Sequence, residues 1–412
     1  MNVPRHFSSL ARRSSDPPIS WLMKTALERP HLISLAAGFT DNATLPVAEV
    51  SAILRELLRH PSAACAALQY GTTAGSVALR AELARRCRQQ DGRGNISAAD
   101  IIITNGSQQL LYILSEILGD TGDIVLVEDP TYFVYLGIVE AMGLRAFGFH
   151  GVAALAARLE WLKRRGLLPR LKLLYLVTYF RNPTGHTWSL DEKREALAIV
   201  RHYERAAGHP IYLLEDAAYR DLRFAGNDVP SFRSLDAHRV LYTNTLTKPF
   251  ATGLKLGYGV LPPPVMRHAL RAKGNHDFGS ANFLQVILAR TLADGLYDRH
   301  LPVIAAAYRR KRDAMVRALD VHFPSSARYE TPGGGLYVWV ELEPRIQTGA
   351  KSRLFRRALE AGVFYVPGEL CYATDPTRPV PRHGMRLSFG ASSVAQIGQG
   401  VRRLARAIAA RG

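Results

Sequence analysis

Apolar and polar positions change period repeatedly along this chain. Residues 101–104, 124–127, 146–149, 171–177, 211–214, 240–243 and 256–260 are short apolar runs. Each stops at a turn former or a polar residue. Runs of this length without alternation predict strands buried on both faces. Between and before them the spacing becomes helical, over residues 46–60, 73–90, 107–118, 133–141 and 190–207. Within 73–90, Val77, Leu79, Leu83 and Ala84 stand apolar among charges. Pro46 suits a first helical turn. Asn182-Pro183-Thr184-Gly185 is a strong turn signal. Strands alternating with helices predict an α/β fold with a mostly parallel sheet between helical layers.

After Pro262 the texture shifts. Arg-, Ala- and Leu-rich helices are expected over residues 282–319, then strands over 336–340 and 385–389. The pattern predicts an N-terminal arm over residues 1–45, irregular but for one short helix at 20–28. A large domain follows over 46–290 and a smaller α+β domain over 291–412, with the arm packed against the latter. A length of 412 residues agrees with two domains. No internal repeat is visible.

Composition narrows the function classes. At 47% hydrophobic and 21% charged, the chain is neither disordered nor fibrous. Its net charge is +18, and 44 of the 53 basic residues are Arg. Such a balance admits a nucleic-acid partner. The arginines are dispersed, however, in short runs such as Arg85, Arg86 and Arg88 or Arg309 to Arg312. No basic tail, paired-cysteine finger or aromatic RNA-binding signature accompanies them, so no nucleic-acid partner is expected. Cys65, Cys87 and Cys371 are far apart, which argues against a disulfide scaffold or a zinc site and for a reducing compartment, the cytoplasm. The first 20 residues lack the apolar core of a secretory signal, and no apolar run spans a membrane.

Functional groups in open α/β sheets collect beyond the carboxyl ends of the strands. Thr104-Asn105-Gly106-Ser107-Gln108-Gln109 joins a strand to a helix, and its free amides suit a phosphate. Ser107 alone also reads as a helix cap. The segment is neither a Walker loop nor a dinucleotide fingerprint. Asp216 and Asn182 also follow strands, as does Lys248, one of only nine lysines. A neutral lysine amine is a nucleophile, which guanidinium is not.

In order, Leu68-Gln69-Tyr70-Gly71, Thr104 to Gln109, Asp129-Pro130-Thr131-Tyr132, Asn182 to Gly185, Glu215 to Tyr219, Thr245 to Tyr258, Pro332 to Gly335 and Met385 to Phe389 resemble the blocks of class I/II aminotransferases. These are fold-type I enzymes dependent on pyridoxal 5′-phosphate (PLP), with a seven-stranded sheet in the large domain. The nearest flavour is the aminoadipate and aromatic aminotransferase branch, which also supplies a domain of MocR-type regulators. The resemblance implies the following roles. Lys248 binds the cofactor covalently and moves the proton. Asp216 pairs with the pyridine nitrogen and keeps the ring an electron sink. Asn182 and Tyr219 face the ring 3′-oxygen, and Tyr132 covers the ring. Ser107 and Gln108 amides, Thr245, Thr247 and Lys255 hold the phosphate. Tyr70 reaches the phosphate of a second subunit, which implies a homodimer with shared sites. Arg386 clamps the substrate carboxylate, with Asn182 and Gly38 beside it. No metal is implied.

Departures from the family pattern are also visible. Lys255 stands where an Arg is usual, Pro249 follows the lysine, Arg181 replaces a usual Gln, and Ala217 follows Asp216. They keep PLP chemistry and leave its outcome open between transamination and a lyase, cyclase or oxidative deaminase. About 30 residues precede the matching region, too few for the winged helix of a MocR regulator, so a transcription factor is not expected. A non-enzymatic basic module is the remaining alternative, resting on charge alone.

Overall fold

The computed structural model describes residues 6–36, 38–92 and 95–410. Its centre is a seven-stranded sheet in the order Ile101–Thr104, Gly257–Val260, Val240–Thr245, Tyr212–Asp216, Leu171–Val177, Ile124–Glu128, Arg145–Phe149. Only Gly257–Val260 runs antiparallel to its neighbours. Alternate residues of one strand serve two cores. Leu173, Tyr175 and Val177 face one, while Leu174 and Leu176 face the other. That two-sided burial is why the strand reads as continuously apolar.

The strand expectations hold to within one or two residues. The helix Leu190–Ala207 is bounded by a Ser189/Glu192 capping box and by Gly208 at φ 77°. The helix expected over 73–90 begins later, at Val77, because Gly75 adopts φ 96° and Ser76 caps the helix. The expected helical run 282–319 is two helices, Asn282–Ala293 and Leu296–His322, broken at left-handed Gly295.

The N-terminal segment is more regular than expected. It contains two helices, Ser9–Arg13 and Pro18–Glu28, and a two-residue strand, Ile33–Ser34, paired in parallel with Val363–Phe364. Beyond the large sheet lies an antiparallel sheet in the order Val366–Pro367, Gly384–Ser388, Tyr337–Glu341, Arg328–Tyr329. The helices Leu296–His322 and Val394–Ala409 pack together beside it.

The glycine run before Tyr337 joins the two sheets. Gly335 N donates to Leu222 O at 2.8 Å, and Phe224 N donates to Gly333 O at 2.8 Å. At Gly334 a Cβ would overlap Leu222 O and the Phe180 ring, so the close approach requires glycine. No helix among the described residues is long and apolar enough to cross a membrane.

Candidate active site

The large-sheet strand Tyr212–Asp216 ends in two carboxylates with different fates. Glu215 is tied to Thr178 and to the buried Lys193. Asp216 is only 3% exposed. Its Oδ2 accepts from Tyr175 Oη at 2.9 Å and its Oδ1 from Ala218 N at 3.1 Å. Tyr175 is held in turn by stacking on Tyr135 at 3.8 Å. Burial raises the Asp216 carboxyl to about 6, against the opposing pull of those two donors. Among the described residues no Lys, Arg or His pairs with it.

Lys248 follows the strand Val240–Thr245. Its Nζ donates to Gly38 O at 2.8 Å. Burial lowers its pKa, Tyr337 opposes that effect, and Arg386 and Lys255 add to it. The neutral, proton-accepting amine is thereby favoured. Gly38 is positioned from the small sheet's side: Lys311 Nζ meets Asp41 at 2.7 Å and Asp41 N donates to Tyr308 Oη at 2.9 Å. A Cβ on Gly38 would stand 2.8 Å from Tyr337 Oη and 3.8 Å from Lys248 Nζ, so Gly38 keeps this corner open.

Arg386 sits on the strand Gly384–Ser388 and is 2% exposed. Nη1 donates to Asn182 Oδ1 and Nη2 to Ala36 O, both at 2.8 Å. Its Nε is buried and has no partner among the described residues. Asn182 Nδ2 donates to Tyr219 Oη at 3.3 Å, and Tyr219 Oη lies 3.3 Å from Tyr337 Oη. The guanidinium of Arg386 lies 4.1 Å from the Tyr337 ring centre. Thus Arg386, Asn182, Tyr219, Tyr337, Gly38 and Lys248 form one continuous chain of contacts.

The helix Gly106–Leu118 opens without a side-chain cap. Its first turn packs on the antiparallel strand at Gly257, where a Cβ would overlap Ser107 N and the Gly106 carbonyl carbon. Lys255, in the left-handed region at φ 47°, lies over Gly106. Thr245 Oγ1 and Thr247 Oγ1 both donate to Leu256 O, at 2.8 and 3.2 Å. Gln108 lies in that opening turn. An uncapped helix end with a lysine beside it suits a phosphate.

Tyr132 is partly buried, and its phenol responds to Asp216, Tyr337 and Arg386, with burial raising its pKa most. Tyr70 stands apart from this group. It is 85% exposed and meets Phe278 edge-on at 5.7 Å. Arg181 is taken up elsewhere, pairing with Glu128 and donating to Thr184 Oγ1 at 2.8 Å. Ala217 is buried. Tyr337 escaped sequence reasoning. The available signal was its position two residues before Trp339, which pairs with Arg386 across the small sheet, so Tyr337 and Trp339 share that sheet face.

These residues fit PLP on three physical counts. The buried carboxylate lacks a cation, which a protonated pyridine supplies. The uncapped helix end lacks an anion, which the phosphate supplies. The guanidinium Nε, without a partner among the described residues, is a donor that a carboxylate oxygen would satisfy. A buried amine, carboxylate and guanidinium so arranged define an enzyme that works on amino acids through a bound pyridine ring. Comparison with known proteins agrees: the chain belongs to the aminotransferase class I and II family, whose model matches residues 30–404. It is a PLP-dependent aminotransferase. It is 32% identical to aromatic-amino-acid aminotransferase 1 of Thermococcus litoralis, covering 99% of this chain and 95% of that one. The crystal structure of Pyrococcus horikoshii kynurenine aminotransferase superposes with a TM-score of 0.89 at 32% identity, covering 98% and 97% of the two chains. Thermus thermophilus LysN, an α-aminoadipate aminotransferase solved with N-(5′-phosphopyridoxyl)-L-leucine, gives 0.85 at 31% identity, covering 98% and 97%.

Proposed function

We propose that this aminotransferase moves the amino group of an L-amino acid to a 2-oxo acid in two half-reactions at one site. The observation that carries the reading is the continuous chain from the Arg386 guanidinium through Asn182 and Tyr219 to the Lys248 corner. When bound, PLP withdraws electrons from the substrate Cα and stores the amino group between the half-reactions. Arg386 binds the α-carboxylate through its planar fork. Lys248 Nζ, whose pKa burial lowers, takes the Cα proton and later returns it. Asp216 stays anionic beside the ring nitrogen. Asn182 and Tyr219 hold the ring 3′-oxygen, and Tyr132 covers the ring. Ser107, Gln108, Thr245, Thr247 and Lys255 hold the phosphate.

Further assignments belong to the same reading. Tyr70 serves the site of a second copy in a homodimer, supported by its exposure beside apolar Leu68 and Phe278. Residues 1–45 belong with the small domain 291–412, supported by the pairing of Ile33–Ser34 with Val363–Phe364. The large domain is 46–290. A cytoplasmic location accords with three unpaired cysteines. The departure at Arg181 gives no support to lyase or cyclase chemistry, since that side chain is engaged by Glu128 and Thr184.

The test is a single-turnover assay of the holoenzyme against a panel of L-amino acids, without an acceptor. One equivalent of 2-oxo acid per site, with conversion of the cofactor to pyridoxamine phosphate, is expected. Continued turnover to ammonia or an eliminated group in that assay would refute transamination.

A further inference from the structure

Tyr337 is a buried phenol that the proposed roles leave unassigned. Its ring is fixed from two sides, by the Arg386 guanidinium at 4.1 Å and edge-on by Tyr219 at 5.8 Å. Its hydroxyl meets the Tyr219 hydroxyl at 3.3 Å and borders Gly38. A phenol has one proton to give and two lone pairs to receive with. Tyr219 already receives from Asn182 Nδ2, which can only donate. When Tyr219 gives its proton to a ring oxygen, its second lone pair is free for Tyr337.

We propose that Tyr337 is a positioning residue: its hydroxyl donates to Tyr219 and thereby strengthens the donation of Tyr219 to the cofactor's 3′-oxygen. The inference rests on the reading that Tyr219 faces that oxygen. Hydrogen bonds in series polarise one another, so a donor behind Tyr219 makes Tyr219 the better donor. The charged surroundings favour this direction. Burial raises the Tyr337 phenol, and the Arg386 guanidinium leads the influences that together outweigh burial and hold it below the ordinary phenol range. The other titratable groups facing it are Tyr132, Tyr308 and Cys371, and Cys371 acts in the opposite sense, raising it. A more acidic phenol is a stronger donor.

The experiment is a pH titration of the visible absorbance band of the holoenzyme, for the wild type, Tyr337→Phe, Tyr219→Phe and the double variant. Phenylalanine keeps the ring that Arg386 and Tyr219 pack against. Weakening donation to the ring oxygen disfavours its ionised form, so the midpoint moves up. Tyr337→Phe is expected to raise it by about half a pH unit or more. Tyr219→Phe raises it further, and the double variant matches Tyr219→Phe alone. An unchanged midpoint in Tyr337→Phe, with a shifted one in Tyr219→Phe, overturns the role of Tyr337 and leaves the reading of Tyr219 standing. A full Tyr337→Phe shift on the Tyr219→Phe background overturns it too, because Tyr337 then acts without Tyr219. If Tyr219→Phe itself moves nothing, the reading of Tyr219 fails and the inference falls with it.

Discussion

Replacing Asp216 with asparagine removes a charge and nearly keeps a shape. The new amide oxygen accepts from Ala218 N, and its NH2 group donates to Tyr175 Oη, reversing one bond while retaining both contacts. The effect then depends on the cofactor. Without PLP, the folded protein holds a buried carboxylate whose pKa rises from 3.8 to about 6. That rise corresponds to roughly 3 kcal/mol of lost stability at neutral pH. The sign follows from proton binding. Between about pH 4 and pH 6 the folded state holds the proton more tightly than the unfolded state, so stability falls as pH rises through that window. The Asp216→Asn variant has no such cost. Its apoprotein is therefore expected to be more stable than wild type at pH 8, by an amount of that order, and to lose the advantage near pH 4. With PLP bound the effect reverses. An unpaired buried cation costs about 3–5 kcal/mol, which corresponds to a fall of roughly 10²- to 10⁴-fold in the half-reaction. Urea unfolding of both apoproteins at the two pH values, with single-turnover kinetics of both holoenzymes, measures the two effects. A variant apoprotein no more stable than wild type at pH 8, or a half-reaction within about tenfold of wild type, would refute the reasoning.

Physical cause separates what was legible in the sequence from what was not. The strand Leu171–Val177 and the helix Leu190–Ala207 were read with their observed bounds because local signals set them. The strand is buried on both faces and ends at a turn, and the helix carries its own capping box and terminal glycine. The two-residue strands Ile33–Ser34 and Val366–Pro367 have no local signal. They exist because Val363–Phe364 and Gly384–Ser388 offer partners that are distant in sequence. The amphipathic helices Gly151–Arg164 and Val394–Ala409 stand outside the elements expected above, although both carry a helical period. Among site residues, Asp216, Asn182 and Lys248 were legible because each closes a strand or follows one. Arg386 stood out only through the resemblance, since 44 arginines make none distinctive. Tyr337 is hard to single out in the sequence because its role depends on which face of the Tyr337–Glu341 strand meets Tyr219, in the turn after the strand Tyr212–Asp216. The Pro332 to Gly335 run docks that strand onto residues 222–224.

Arg386→Lys keeps the charge and loses the fork, leaving Asn182 Oδ1 or Ala36 O without its donor. kcat/KM for amino-acid donors is expected to fall by about 10- to 100-fold. Amine donors lacking the α-carboxylate should lose far less, and an equal loss would refute the clamp. Gly257→Ala forces a Cβ into the opening turn of the Gly106–Leu118 helix. A cost of about 1–3 kcal/mol in urea unfolding is expected, with weaker PLP retention on dialysis, and unchanged retention would argue against that turn as the phosphate seat. The shared-site reading is tested by mixing Tyr70→Phe subunits with Lys248→Ala subunits after reversible dissociation. In a hybrid dimer, the site that keeps Lys248 receives the intact Tyr70 of its neighbour, while the other site lacks both. Random mixing makes half the dimers hybrid, so activity approaching about a quarter of wild type is expected from closed two-fold assembly. Tyr70 acting within its own subunit would leave every Lys248-bearing site without its hydroxyl, and the mixture would then show no gain over the two parents measured apart.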